Sequence, residues 1–91
     1  MSLRRYGVIL KKCLKENKPM LYSRLIIEGE LMDWLLVREN YLYEFAEIVR
    51  EELKMAYPEP KTGEFLVMAK YVNFIESCVD EFVIGEIREI V

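Results

Sequence analysis

Apolar residues recur every three to four positions along almost the whole chain, which is the pattern of amphipathic helices. From Arg4 to Asn17, the residues Tyr6, Ile9, Leu10, Cys13 and Leu14 share one helical face, and Arg4, Arg5, Lys11, Lys12 and Lys15 fill the remainder. Asn17-Lys18-Pro19 ends this helix, because proline disfavours helical geometry in the residue before it yet suits the first turn of a new helix. A short second helix is predicted over 19–28 through Leu21, Tyr22, Leu25 and Ile26, with Gly29 placed for a left-handed terminus. The third helix, 30–57, is long. Its stripe reads Leu31, Trp34/Leu35, Leu42, Phe45, Ile48/Val49 and Leu53, interrupted at Arg38.

Residues 57–63, with two prolines and a glycine, form the one clear loop. The last helix, 64–90, carries Met68, Tyr71/Val72, Ile75, Val79, Phe82/Val83 and Ile87. Gly85 inside it lowers helix propensity by about 1 kcal/mol relative to alanine, and close packing against a partner helix is the expected reason for it. The pattern therefore predicts an all-α fold. Residues 1–91 form a single helical domain, a small bundle built on a long antiparallel helix hairpin with two shorter N-terminal helices folded over it. Tyr41, Tyr43, Phe65, Val67 and Phe74 lie off the main stripes, so the long helices are apolar on more than one face and a homo-oligomer is expected.

Composition supports the helical reading and narrows the chemistry. Four Gly and three Pro among 91 residues leave little material for the turns of a β-sandwich or barrel. Cys13 and Cys78 are far apart, with no CxxC and no His beside them, which excludes a locally spaced zinc site and argues against a disulfide scaffold. Both sit among apolar neighbours and read as buried free thiols. No stretch is apolar enough to span a membrane, and no signal peptide opens the chain. A cytoplasmic setting is the expectation.

The absence of His removes the commonest general base and metal ligand. Glu44, Glu47, Glu51 and Glu52 have helical spacing, but a four-helix di-iron site also needs Glu-x-x-His pairs, and a solvated face is the better reading. Ser2, Ser23, Ser77 and Thr62 have no base nearby, and there is no nucleophile elbow or phosphate-cradling glycine loop. Cys13 sits among lysines without a relay partner. The sequence thus reads as a non-enzymatic protein with no cofactor, no metal and no small-molecule substrate.

Charge is divided unevenly. Residues 1–28 carry seven basic groups against Glu16 and Glu28, a net of +5; residues 29–91 carry six basic and fourteen acidic groups, a net of −8; together they give −3. Such a basic end admits an anionic partner such as DNA, and equally admits pairing with the acidic body within or between chains. Residues 21–38 make a poor helix-turn-helix: Glu30, Asp33 and Glu39 would face phosphate, and Arg24, Glu28 and Glu30 stand where apolar packing is needed. If DNA is bound, the candidate contacts are Arg4, Arg5, Lys11, Lys12, Lys15 and Lys18.

Tyr6-Gly7, then Leu14-Lys15-Glu16-Asn17-Lys18-Pro19, Leu21-Tyr22, Leu25, Gly29, Leu31 and Leu35 resemble the TnpV family of small proteins encoded on mobile elements. Asn73, Ile75, Glu81, Val83, Glu86 and Ile87 match that family's ending, so the similarity covers nearly the whole chain. The chain departs from the family pattern at Phe74, where a second Asn is usual, and at Asn17 and Lys18, where His or Arg is frequent. A segment that commonly precedes the Tyr-Gly pair is absent. The resemblance implies a transposon accessory protein, aiding excision or controlling a recombinase; it brings no catalytic residues. The alternative is a self-associating helical interaction module that never touches nucleic acid.

Overall fold

The structure is a computed structural model that describes residues 2–91. Four α-helices follow one another: α1 (Arg5–Asn17), α2 (Pro19–Glu28), α3 (Leu31–Ala56) and α4 (Phe65–Ile90), with no strand among the described residues. The long helices α3 and α4 pack side by side as the expected hairpin, giving an elongated body of 55 × 24 × 18 Å. Helix α1 lies across both of them, while α2 touches α1 and α3 but not α4.

Local chemistry accounts for the breaks. The Lys18 N–H still bonds the Leu14 carbonyl at 2.8 Å, and Pro19 then opens α2 from its first turn, where a missing N–H costs nothing. Gly29 ends α2 at φ 71°, with Gly29 N–H donating to Ile26 O and Glu30 N–H to Leu25 O, the paired bonds of a Schellman motif. Between α3 and α4, Thr62 Oγ1 accepts the Glu64 N–H at 3.2 Å just before the last helix begins.

The core runs along the seam of the hairpin. Leu35, Leu42, Ala46 and Val49 of α3 meet Ile75, Val79, Val83 and Ile87 of α4, and Tyr6 and Leu10 of α1 close over them. These positions share one face at 3–4 residue spacing, so burying them is what sets the helices against each other. Several sequence expectations shift in detail. Ile48 and Ile26 lie on the predicted stripes but are exposed. Cys13 and Cys78 are free but only half-buried. Gly85 meets no packed helix among the described residues: a Cβ there would have nothing within 4 Å.

The largest departure is Glu39. Its register matches Leu35, Leu42 and Ala46, and it is buried to 2% exposure inside an apolar seam. Glu39, and not Arg38, occupies the gap in the α3 stripe between Leu35 and Leu42.

Candidate functional site

Two groups of polar residues can be distinguished on and under α1. The first is a knot at its N-terminus. Arg4 precedes the helix in extended geometry and supplies no side-chain cap of its own. Glu39, reaching across from α3, takes that role: its Oε2 accepts the Arg4 backbone N–H at 2.6 Å and its Oε1 the Arg4 Nε at 3.3 Å. A carboxylate suits this position because unsatisfied N–H groups and the helix dipole both favour negative charge there. The Arg4 guanidinium lies over the Tyr43 ring at 3.9 Å and also donates to Asn40 Oδ1.

Arg5 and Tyr6 fasten the same end of α1 to α4. Arg5 pairs with Asp80 at 2.9 Å, and the Tyr6 hydroxyl donates to Asp80 Oδ1 at 2.7 Å. The Tyr6 ring packs 4.7 Å from that of Tyr43. Burial, and then the bond to Asp80, push the Tyr6 phenol up to about 12. Burial alone would raise the Asp80 carboxyl, but the hydrogen bonds from Tyr6 and Arg5 and the Arg5 charge outweigh it and hold Asp80 below its ordinary value. Tyr6 therefore keeps its proton at neutral pH and donates it in the bond to Asp80.

Gly7 belongs to this knot. A Cβ at residue 7 would overlap Glu39 Oε2 and stand 2.9 Å from Glu39 Cδ. The Tyr-Gly pair thus has a packing reason: tyrosine binds Asp80, and glycine leaves room for the buried carboxylate.

The second group is a lysine ridge. Lys11, Lys12, Lys15 and Lys18 are all exposed on α1 and its end. None has a carboxylate within 4 Å among the described residues, and Lys15 alone has an aromatic neighbour, with its Nζ 5.9 Å from the Tyr22 ring. The six candidate contact residues therefore divide. Arg4 and Arg5 are committed to Glu39 and Asp80 within the chain, whereas the four lysines project together into solvent.

Elsewhere the acidic side chains are dispersed. Glu44, Glu47, Glu51 and Glu52 are exposed, and Arg50 bridges Glu47 and Glu76. Among the described residues no group of three or more His, Cys, Asp or Glu side chains could hold a metal ion. The depression lined by Pro19, Met20, Ser23, Arg24 and Ile27 is open to solvent. No helix among the described residues is long and apolar enough to cross a membrane.

Sequence reasoning missed Glu39 and Asp80 as the anchors of α1. The available signal was the gap between Leu35 and Leu42, where the helical repeat calls for a core residue and the sequence has Glu39. Asp80 carried no such signal, because one helix does not reveal which flank another will cover.

In comparison with known proteins, a family model described as transposon-encoded protein TnpV aligns with residues 1–88. No curated protein and no solved structure matches the chain.

Proposed function

The chain belongs to the family of transposon-encoded TnpV proteins, and from that premise we propose that it is a non-enzymatic accessory protein of a mobile element, acting through contacts to DNA and to other protein chains. The lysine ridge carries the DNA part of this reading. Lys11, Lys15 and Lys18 follow one another at four and three residues, with Lys12 beside them, so their ammonium groups line about 10 Å of helix. That length suits neighbouring phosphates, and the absence of acidic partners among the described residues leaves the charges available to them. Binding of this kind tolerates sequence and depends on salt.

A gel-shift titration of the chain on duplex DNA tests the proposal. The expected result is a shift at low salt that the Lys11→Ala/Lys12→Ala/Lys15→Ala variant loses. Each phosphate contact removed should flatten the plot of log K against log salt by about 0.9. No shift at low salt would sink the DNA reading. A pull-down from the host with and without nuclease then shows which protein partners, a recombinase among them, depend on nucleic acid.

The second reading is a self-associating module without nucleic-acid contacts. Its support is the apolar surface left open on α3 and α4, where Ile48, Phe74 and Phe82 are roughly half exposed at 59%, 45% and 55%. Self-association combined with no DNA shift would favour it.

A further inference from the structure

Helix α1 covers one flank of the hairpin, through Glu39, Asn40 and Tyr43 on α3 and Asp80 on α4. The opposite flank of α3 carries a second stripe: Trp34, Arg38, Tyr41, Phe45, Ile48 and Glu52, spaced four, three, four, three and four residues apart. That is a heptad pattern, turned away from the one buried in the seam. Phe74 and Phe82 of α4 continue it, with the Tyr41 hydroxyl bonded to Glu86 Oε1 at 2.8 Å across the two helices. Gly85 of α4 has open space where a Cβ would go.

Two charges interrupt this stripe, and among the described residues neither has an oppositely charged partner within 4 Å. The Arg38 guanidinium is held 3.9 Å above the Trp34 ring and donates to the Trp34 carbonyl, but no carboxylate approaches it within 4 Å among the described residues. Glu52 is exposed and likewise lacks a basic partner. Arg38 stands seven residues before Phe45 and Glu52 seven residues after it. The stripe is therefore self-complementary under a two-fold rotation through Phe45.

We infer that two copies of this chain associate through the open α3/α4 flank, with their α3 helices antiparallel about Phe45 and each Arg38 paired with Glu52 of the second copy. In that register the two charges come within about one helical turn of each other, a distance that their long side chains span. Phe45 then faces its own equivalent, and Tyr41 comes beside Ile48 of the second copy and Ile48 beside its Tyr41, the reciprocal pairing an isologous contact requires. An unrelated protein could cover apolar residues, but it would have no reason to match opposite charges placed symmetrically about one residue. The inference extends the protein-contact part of the proposed function and does not depend on DNA, since the lysine ridge lies on α1, away from this flank.

Light scattering and equilibrium sedimentation of the full chain without DNA test it. The wild type is expected at twice the chain mass, and Ile48→Glu at the monomer mass with unchanged helical circular dichroism. Arg38→Glu and Glu52→Arg should each weaken the dimer about tenfold or more. The combined Arg38→Glu/Glu52→Arg chain should recover it, because the swapped charges again face each other. This recovery keeps the test informative even if Ile48→Glu perturbs folding. A monomeric wild type at every concentration would overturn the inference. So would a dimer indifferent to Ile48→Glu in a folded chain, or a charge swap that restores nothing. If Ile48→Glu is monomeric and still shifts DNA, the dimer and the DNA reading are separated; loss of the DNA shift alone leaves the dimer standing.

Discussion

Glu39 and Gly7 occupy what would be a single side chain's space: the carboxylate of one lies where the Cβ of the other would be if residue 7 were not glycine. The contact lets a buried acid on α3 cap a helix that begins thirty-odd positions earlier in the chain. It also makes the docking of α1 sensitive to one methyl group.

Gly7→Ala is accordingly expected to destabilise the fold by about 1–3 kcal/mol, the usual range for overpacking a filled site. The Glu39→Ala chain should lose the capping bond and be destabilised as well. Combining the two should cost less than the sum of the singles, because truncating Glu39 removes the overlap. Denaturant unfolding of the four chains measures this coupling. Strict additivity would mean that the two residues act independently.

The Tyr6–Asp80 bond predicts how stability changes with pH. The Asp80 carboxyl is held below its ordinary 3.8, so its contribution is full above that value and is lost as pH falls through the lower folded value. The Tyr6 phenol is raised from 10.0 to about 12, so its contribution is full below pH 10 and is lost as pH rises toward 12. Tyr6→Phe should cost about 1 kcal/mol near neutrality and remove that residue's share of the alkaline loss. Unfolding curves across pH, together with ultraviolet titration of the phenols, check both edges.

The two glycines at helix positions should respond oppositely to alanine. Gly29 sits at φ 71°, where a side chain is strained, and Gly29→Ala is expected to cost about 1–2 kcal/mol. Gly85 is helical with open space around it, so in the isolated chain Gly85→Ala should stabilise by up to about 1 kcal/mol. Thermal unfolding at low concentration reads both. A loss of dimer in Gly85→Ala, with helix stability gained, would show the second copy approaching that position.

Lys54 supplies a control for the lysine ridge. It is exposed near the end of α3, away from α1. Lys54→Ala should leave the salt slope of DNA binding unchanged, whereas Lys11→Ala, Lys12→Ala and Lys15→Ala should each lower it by about 0.9. Equal effects from all four positions would indicate non-specific attraction to total charge.

Most of the helices and the hairpin were legible in the chain itself, for local reasons. Apolar spacing marks the faces of α3 and α4, Pro19 can only begin a helix, and Gly29 is the residue best suited to end one. The charge imbalance also located the basic segment. Which of its charges remain free was not a local property. Arg4 and Arg5 are neutralised by Glu39 and Asp80, residues distant in sequence, and Lys11, Lys12, Lys15 and Lys18 are not. Glu39 likewise looked like a surface acid until α1 was laid over it. Periodicity determines which face of a helix is apolar, whereas burial depends on what another helix places against that face. Only the tertiary arrangement decides which charges are paired within the fold and which stripe, on α3 and α4, is left exposed.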